Sequence, residues 1–396
     1  MKSNKIRLGE QCVVTSSKRF HLSERITQGV PFYCSKEIIK KFNGEDVTEC
    51  DYISEDLYKK VSNEFGVPKE NDLLITTRGT IGIPYLYKRT DRFYFADGNL
   101  TWIKDFDSNL YSKFLYYWFQ SYEGRKKFEA LAKGTAQKAV PISGIKTLEI
   151  ELPSLKSQKR IADILSAYDD LIENNRKQIK LLEEAAQRLY KEWFVDLHFP
   201  GHENTKIVDG VPEGWNEKTL SQVANVIMGQ SPKSEFYNSE KKGLPFHQGV
   251  GSYGVRFVMD DIYSTLYTRI AEPNSILFSV RAPVGRLNIT KNKVVIGRGL
   301  AAINQTDGCQ SYLYYLLKNK FFKDNIVGNG SIFASVSKDE LLNQKFLIPE
   351  RNLMMQFEKI VSQMDKQIEN LDSKNKKLIE ARDRLLPKLM SGEVEV

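Results

Sequence analysis

The chain has 396 residues, 41% of them hydrophobic, which is enough for two domains of ordinary size with packed cores. Lysine and arginine together exceed aspartate and glutamate by eight, and the isoelectric point of about 9.0 suits an anionic partner without requiring one. No run is long and apolar enough to span a bilayer, no apolar signal core follows the first residues, and the four cysteines form no CxxC pair. The sequence therefore shows no evident membrane span or disulfide framework, and we expect a cytoplasmic protein with reduced thiols.

The first part of the chain predicts a mixed unit of strands and helices. Residues 73–77 form an apolar run typical of a buried strand, and residues 93–95 predict another strand. Residues 112–131 place large apolar side chains at helical spacing, and the polar residues 134–138 then predict a loop.

Two later stretches carry a heptad pattern. Apolar residues recur at alternating steps of four and three from Lys159 to about Phe194, and the pattern returns near the end of the chain, where the helix should stop or kink within residues 387–392. A pattern sustained over about four heptads favours a coiled coil, although each helix packing only on its own domain is the alternative. One asparagine interrupts each seam, Asn175 and Asn375, and a buried asparagine can fix register or partner. The predicted seam residues are Ile161, Leu165, Tyr168, Ile172, Leu182 and Leu189, followed by Phe357, Val361, Met364, Ile368, Leu378 and Leu385.

The sequence is duplicated, because a constant shift places Gly134 on Gly330 and Asp169 on Asp365. A period this long indicates a duplicated domain plus helix rather than a solenoid, whose units run roughly 20–50 residues. We therefore predict an α+β fold in which two domains related by a pseudo-two-fold axis are separated by two long helices that form an antiparallel coiled coil. The predicted segments are 1–153 for the first domain, 154–195 for the first helix, 196–212 for a linker, 213–350 for the second domain, and 351–396 for the second helix and the C-terminal tail.

The motifs of common catalytic sites are missing from the sequence. It has no GxxxxGK[ST] loop, no GxGxxG after a strand, and no consecutive prolines, so the Asp/Asn-Pro-Pro-aromatic box of amino-methyltransferases is absent. His198 and His202 lie four residues apart, but Pro200 and Gly201 would break a helix between them and no third ligand is nearby, so we predict no metal site. A binding or scaffold protein is favoured over an enzyme.

The two copies share an ordered set of motifs. Each has a strand-like run into Arg-x-x-x-Gly, starting at Arg78 and at Arg281, and each has a small polar loop that starts at Gly134 or Gly330. The other shared or terminal motifs are Leu152-Pro153 and Ile348-Pro349 before the long helices, Val211-Pro212-Glu213-Gly214-Trp215 at the start of the second copy, and Leu385-Leu386-Pro387-Lys388-Leu389-Met390-Ser391-Gly392 at the end. Over nearly the whole chain, this order resembles the DNA specificity subunit of Type I restriction-modification enzymes.

The resemblance implies a bipartite DNA reader within a larger complex. Two target-recognition domains would each read one half of a split double-stranded DNA target, and the two helices would hold these domains apart. Two copies of a separate modification subunit would supply adenine-N6 methyltransferase chemistry with S-adenosylmethionine. The resemblance also allows two restriction subunits, which would supply ATP- and magnesium-dependent translocation and cleavage. This chain itself would bind no cofactor and catalyse nothing.

The predicted DNA contacts follow from side-chain chemistry and position. Arginine can pair bidentately with guanine, and glutamine or asparagine with adenine, while loops carry variable recognition. The duplicated Arg78 and Arg281 are expected either to clamp phosphates or to form scaffold ion pairs. The candidates are Arg78, Lys133, Thr135, Gln137 and Lys138 in the first copy and Arg281, Arg298, Asn329 and Ser331 in the second.

Two other classes of protein remain open at this point. One is a bivalent coiled-coil adaptor that binds proteins and no DNA. The other is an enzyme whose site carries no recognisable motif.

Overall fold

The structure, a computed structural model, describes residues 4–134, 138–321 and 335–396. The chain divides into two compact units: unit 1 comprises residues 1–176 and 372–396, and unit 2 comprises residues 177–371. Each long helix contributes residues to both units, because the division falls within the helices.

Unit 1 is built from three sheets and surrounding helices. Its strands are β1 Asn4–Arg7, β2 Val13–Thr15, β3 Val30–Tyr33, β4 Asp51–Ile53, β5 Leu73–Thr76, β6 Pro84–Leu86, β7 Tyr94–Phe95, β8 Leu100–Lys104 and β9 Glu149–Leu152. Its helices are α1 Ser35–Asn43, α2 Glu55–Glu64, α3 Ser112–Gln120, α4 Tyr122–Ala130, α5 Ile142–Lys146 and the first part of α6 Leu155–Phe194. The sheet orders are β2-β8-β5-β6, all antiparallel; β4-β3-β7, with β3 and β7 parallel; and the antiparallel pair β1-β9.

The prediction of one continuous helix over residues 112–131 is wrong, because this segment forms two helices, α3 and α4. Ser121 adopts an extended backbone (φ −68°, ψ 159°) and ends α3, and its hydroxyl accepts a hydrogen bond from the N–H of Gly124 at 3.1 Å. Serine is a strong N-cap residue because its side chain satisfies an otherwise free N–H of the first turn. The apolar spacing continues across this cap, so periodicity alone does not show the break.

Unit 2 repeats this architecture with more short strands. Its strands are β10 Ile207–Val208, β11 Val211–Pro212, β12 Asn216–Thr219, β13 Ala224–Met228, β14 Tyr237–Asn238, β15 Leu244–His247, β16 Tyr263–Ser264, β17 Ile270–Ala271, β18 Ile276–Ser279, β19 Leu287–Ile289, β20 Val294–Ile296, β21 Leu300–Gln305 and β22 Lys345–Ile348. Its helices are α7 Leu220–Val223, α8 Gln310–Phe321, α9 Lys338–Leu342 and the first part of α10 Arg351–Ser391, together with the last part of α6. The sheet orders are β13-β21-β18-β19, β14-β16-β15-β20-β17 with β15 and β20 parallel, and the pairs β12-β22 and β10-β11.

The two units therefore contain the same four-stranded antiparallel sheet. The order β13-β21-β18-β19 repeats β2-β8-β5-β6, and each unit pairs its parallel strands in a second sheet. The α+β class with a duplicated domain and two long helices is confirmed. The predicted linker is more ordered than its proline and glycine content indicates, since Phe199 is buried with its ring 5.5 Å from that of Trp215.

In unit 1 the first part of α6 packs against the last part of α10. Ile161 and Leu165 share one hydrophobic core with Leu386 and Leu389. The helix α10 ends at Ser391, within the segment 387–392 where it is expected to stop or kink, although Pro387 itself lies inside the helix. Proline removes one helical hydrogen bond, but Pro387 is exposed. The neighbouring Leu386 and Leu389 are buried, and burial of each side chain stabilises the helix by about 1.5–3 kcal/mol.

In unit 2 the last part of α6 packs against the first part of α10. Ala186 and Tyr190 share a core with Phe357, Val361 and Ile368, all of them buried. The two helices thus run antiparallel in each unit, as predicted, and neither packs only on its own domain.

The predicted seam residues divide by burial. The buried ones are Ile161, Leu165, Ile172, Phe357, Val361 and Ile368. The half-buried ones are Tyr168, Leu182, Leu189, Met364, Leu378 and Leu385. Near the end of α10 the buried residue is Leu386 rather than Leu385, and Arg382, which interrupts the apolar pattern, forms an ion pair of 2.5 Å with Asp169.

Candidate nucleic-acid interface

The duplicated Arg-x-x-x-Gly motifs form equivalent turns at the ends of β5 and β18. Gly82 and Gly285 have φ angles of +83° and +86°, and their N–H groups donate to the carbonyls of Thr76 (2.8 Å) and Ser279 (3.0 Å). A residue with a side chain is strained at such angles, which accounts for the glycine in both motifs. The turns leave the side chains of Arg78 and Arg281 exposed.

A second segment closes against each turn. In unit 1 the N–H of Val140 donates to the carbonyl of Thr77 at 3.0 Å, and Lys133 and Ala139 exchange two backbone hydrogen bonds of 2.8 and 2.9 Å. These contacts bring Lys133 and Lys138 to the same end of the sheet as Arg78. In unit 2 the N–H of Val336 donates to the carbonyl of Val280 at 2.8 Å in the same way.

A third element is the turn between β7 and β8 in unit 1. The N–H of Ala96 donates to the carbonyl of Tyr33 at 2.9 Å, and the carbonyl of Asn99 accepts from the N–H of Thr77, also at 2.9 Å. Between these anchors lies Asp97, whose Oδ1 accepts a hydrogen bond from the Ser16 hydroxyl at 2.7 Å.

The turn between β20 and β21 in unit 2 has the same two anchors. The N–H of Gly297 donates to the carbonyl of His247 at 2.8 Å, and the carbonyl of Gly299 accepts from the N–H of Val280 at 2.9 Å. Arg298 lies between them, and its N–H donates to the Ser231 hydroxyl at 3.2 Å. The predicted residues Arg281 and Arg298 are thus on adjacent turns.

We call these groupings the strand-end clusters. The unit 1 cluster consists of Ser16, Thr77, Arg78, Asp97, Lys133 and Lys138. The unit 2 cluster consists of Ser231, Val280, Arg281, Arg298 and Gln248, whose Oε1 accepts a hydrogen bond from the Ser231 hydroxyl at 2.7 Å. In unit 1 the members Ser16, Arg78, Asp97 and Lys133 line a cleft of about 310 Å³. Sequence reasoning missed Ser16, Asp97, Ser231 and Gln248, because their proximity depends on strand pairing that no local pattern reveals.

The basic residues of the clusters are exposed, and their charged groups form no ion pair with any described residue. Within residues 4–134, 138–321 and 335–396, none of the basic side chains of either cluster forms an ion pair. The scaffold ion pair considered for Arg78 and Arg281 is therefore not found among the described residues. Cations left without a protein partner are available to an anionic ligand. The set comprises Arg78, Lys133, Lys138, Arg281 and Arg298.

Four predicted DNA-contact residues lie outside the described residues: Thr135, Gln137, Asn329 and Ser331. The described part of the chain also offers no group of three or more His, Cys, Asp or Glu side chains that could hold a metal ion. His198 Nδ1 lies 3.0 Å from Glu192 Oε1, and His202 Nδ1 lies 2.9 Å from the carbonyl of Phe199. Where the structure describes the chain, no helix is long and apolar enough to cross a membrane.

The family model of the Type I restriction modification DNA specificity domain matches the chain twice, over residues 3–184 and 212–381. The matched segments cover most of the chain, so it belongs to this family, as its motifs indicate. Each match includes one of the two strand-end clusters.

Individual relatives agree with this assignment. The chain is 30% identical over 328 residues to the MjaX type I restriction enzyme specificity subunit of Methanocaldococcus jannaschii, covering 81% of this chain and 77% of that protein. It is 28% identical over 301 residues to the MjaIX specificity subunit of the same organism, covering 72% and 69%. The crystal structure of a Type I restriction-modification S subunit from M. genitalium shares the fold, with a TM-score of 0.62, 20% identity, and coverage of 98% and 96%.

Proposed function

We propose that the chain is the sequence-reading subunit of a Type I restriction-modification complex and binds a bipartite double-stranded DNA target. The observation that carries the proposal is the repetition, in two duplicated domains, of a strand-end cluster whose exposed cations form no ion pair with the residues that the structure describes. Exposed arginine and lysine bind phosphates, and arginine also reads guanine in the major groove. Two such clusters suit a target with two halves.

The two halves of the target should differ in sequence. The frames of the two clusters are alike, but the residues at the tips of the anchored turns are not: unit 1 presents Asp97 and Gly98 where unit 2 presents Arg298. Phosphate contacts position a protein on DNA, whereas the side chains that reach base edges choose the sequence. Different side chains on the same backbone frame therefore favour two different half-sites.

The long helices supply the scaffold in this proposal. They pair antiparallel in each unit, and we propose that they set the gap between the half-sites and dock two copies of a modification subunit. The modification subunits would bind S-adenosylmethionine and methylate adenine N6, and restriction subunits would use ATP and magnesium. The chain itself would position the DNA without catalysing a reaction, and the complex would act in the cytoplasm. The names of the relatives support the role of this chain as a specificity subunit.

The test is methylation mapping with an exchanged domain. The chain is produced with its methyltransferase partners in cells that lack other adenine methylation, and methylated sites are mapped across the genome. Replacing residues 1–153 with the corresponding region of a relative should change one half of the motif and leave the other intact. A swap that changed both halves, or a wild-type complex that methylated without a split motif, would contradict the proposal.

A second measurement separates a DNA reader from a coiled-coil adaptor. The assembled complex should retard a duplex that contains the mapped target more strongly than a scrambled duplex of equal length. A chain that assembles with its partners but adds no preference for the target would be an adaptor.

A further inference from the structure

The turn between β7 and β8 and the turn between β20 and β21 are held by the same two backbone hydrogen bonds, which we call the frame, but they carry different residues at their tips. Asp97 and Gly98 lie between the anchors Ala96 and Asn99 in unit 1, whereas Arg298 alone lies between the anchors in unit 2. The anchoring hydrogen bonds are equivalent in the two units and agree within 0.1 Å, as the distances given above show. A fixed frame with a variable tip is what a residue that determines specificity needs, because the frame holds its geometry while the tip changes its chemistry.

Asp97 is held in one orientation. Its Oδ1 accepts from the Ser16 hydroxyl at 2.7 Å, and its Oδ2 accepts from Arg19 Nε at 3.1 Å. The side chain remains 24% exposed, on the cleft that Arg78 and Lys133 also line. A carboxylate has about four lone-pair positions, so two hydrogen bonds leave acceptor capacity for a ligand.

The charge of Asp97 is unexpected on a surface that binds DNA. A carboxylate near the phosphate backbone is repelled, so it weakens binding unless it meets a hydrogen-bond donor. Among the bases, the exocyclic amino group of cytosine is the donor that Asp and Glu accept from in the major groove. The neighbouring cations Arg78 and Lys133 can neutralise the adjacent phosphates.

We infer that Asp97 is a specificity-determining residue that accepts a hydrogen bond from the N4 amino group of a cytosine in the half-site read by unit 1. In unit 2, Arg298 occupies the corresponding tip and donates to the N7 and O6 atoms of a guanine in the other half-site. This inference rests on the proposed function and adds the base class that each turn reads.

The competing explanation is that Asp97 only fixes the loop through Ser16 and Arg19. The variant Asp97→Asn keeps the acceptor for Ser16 but loses the second acceptor and with it the contact with Arg19, so it is compared with Arg19→Ala, which breaks the loop contact and leaves both carboxylate oxygens in place. A loop-fixing role predicts the same effect for the two variants, whereas base reading predicts lost discrimination for Asp97→Asn alone. Asp56→Asn is the matched control, since Asp56 is an exposed carboxylate in α2 of the same unit and does not line the cleft.

The experiment uses the assembled complex of chain and methyltransferase subunits with duplexes in which each target position is changed in turn. Asp97→Asn should reduce discrimination at one cytosine of the unit 1 half-site by roughly 5- to 150-fold and leave the other half-site unchanged. Arg298→Ala should do the same at one guanine of the unit 2 half-site. Asp56→Asn should leave every position as in the wild-type complex.

The outcomes distinguish this inference from the proposed function. If Asp97→Asn and Arg298→Ala both methylate the wild-type motif with wild-type discrimination, the inference is overturned and the proposed function stands. Loss of methylation on every duplex by an Asp97→Asn complex that assembles and melts normally would show a loop-fixing role and also overturn it. If the wild-type complex itself shows no split motif, the proposed function fails. Arg298 is exposed, so Arg298→Ala should fold normally. It therefore tests the inference even if Asp97→Asn is unstable.

Discussion

The side-chain amide of Asn175 donates a hydrogen bond to Oδ1 of Asn375 at 2.8 Å, where both residues are buried between α6 and α10 in unit 1. The amide of Asn375 also lies 3.5 Å from the carbonyl of Ile172. The two asparagines, one on each heptad seam, are therefore partners. A polar pair of this kind favours the one register in which the side chains meet, since any slip would bury both amides without partners.

We expect Asn175→Leu alone to lower the free energy of unfolding by about 1–3 kcal/mol, because it leaves the Asn375 amide buried without its partner. The double variant with Asn375→Leu should be more stable than either single variant. Urea unfolding of the four proteins as a double-mutant cycle measures the coupling. Asn174→Leu is the control, because Asn174 is exposed and its replacement should change stability by less than about 0.5 kcal/mol. Additive effects of the two seam substitutions would contradict the pairing.

Arg256 holds the helices of unit 2 to the body of that domain. The buried guanidinium lies 2.5 Å from Asp365 on α10 and 3.5 Å from Glu183 on α6, and it stacks 4.1 Å from the ring centroid of Tyr314. Arg256→Met should lower the free energy of unfolding by about 3–5 kcal/mol, because two carboxylates lose a buried counter-charge. Chemical denaturation is the measurement, and the exposed Arg269→Met is the control. Equal stability of the two variants would show that the ion pairs contribute nothing.

The affinity of the assembled complex for DNA should fall steeply with salt. Each phosphate contact contributes roughly 0.9 to the slope of log affinity against log salt concentration. Lys133→Ala should reduce that slope by about one and weaken all sequences equally, because lysine contacts phosphate as a point charge. Fluorescence anisotropy over a salt series measures this, with Lys59→Ala on α2 as the control. A changed base preference with an unchanged slope would instead identify Lys133 as a base reader.

The four cysteines should differ in reactivity with alkylating agents at pH 8. Burial raises the pKa of Cys12 to about 12, and burial together with nearby Glu358 and Asp307 raises the pKa of Cys309 to about 11. The reactive form is the thiolate, and each unit of raised pKa reduces its fraction about tenfold at a pH below the pKa. Cys34 and Cys50 are half-buried and should react first, as mass spectrometry of timed samples would show. Urea should abolish the difference; preferential labelling of native Cys12 would contradict the burial.

Much of the fold could be predicted because the signals are local or repeated. The heptad spacing predicts both long helices, and the duplicated motifs predict two similar domains. The strand predicted over residues 73–77 is observed as β5, Leu73–Thr76. Helix ends were less predictable: Ser121 divides a helix that periodicity makes continuous, whereas Pro387 does not end one. The hydrogen bond of the Ser121 cap ends the first helix, and burial of the leucines beside Pro387 continues the second. The spacing of apolar residues contains neither piece of information.

The candidate site was predictable only in part. The repeated motif indicated Arg78 and Arg281, but Asp97 and Ser16 meet only because β2 and β8 pair, and no local pattern joins two segments so far apart in sequence. Residue types indicated the cations as candidates and missed the carboxylate beside them.

Asp169 and Asp365 show which features of this protein the sequence alone reveals and which ones depend on the tertiary structure. The sequence determined that the two aspartates are equivalent in the duplication and lie on the two long helices. Their partners differ: Asp169 binds Arg382 from α10, whereas Asp365 binds Arg256 from the body of unit 2. Periodicity and duplication are properties of neighbouring residues and can be seen along the chain. The ion-pair partner of each aspartate depends on long-range packing, because packing brings a different arginine close to each carboxylate.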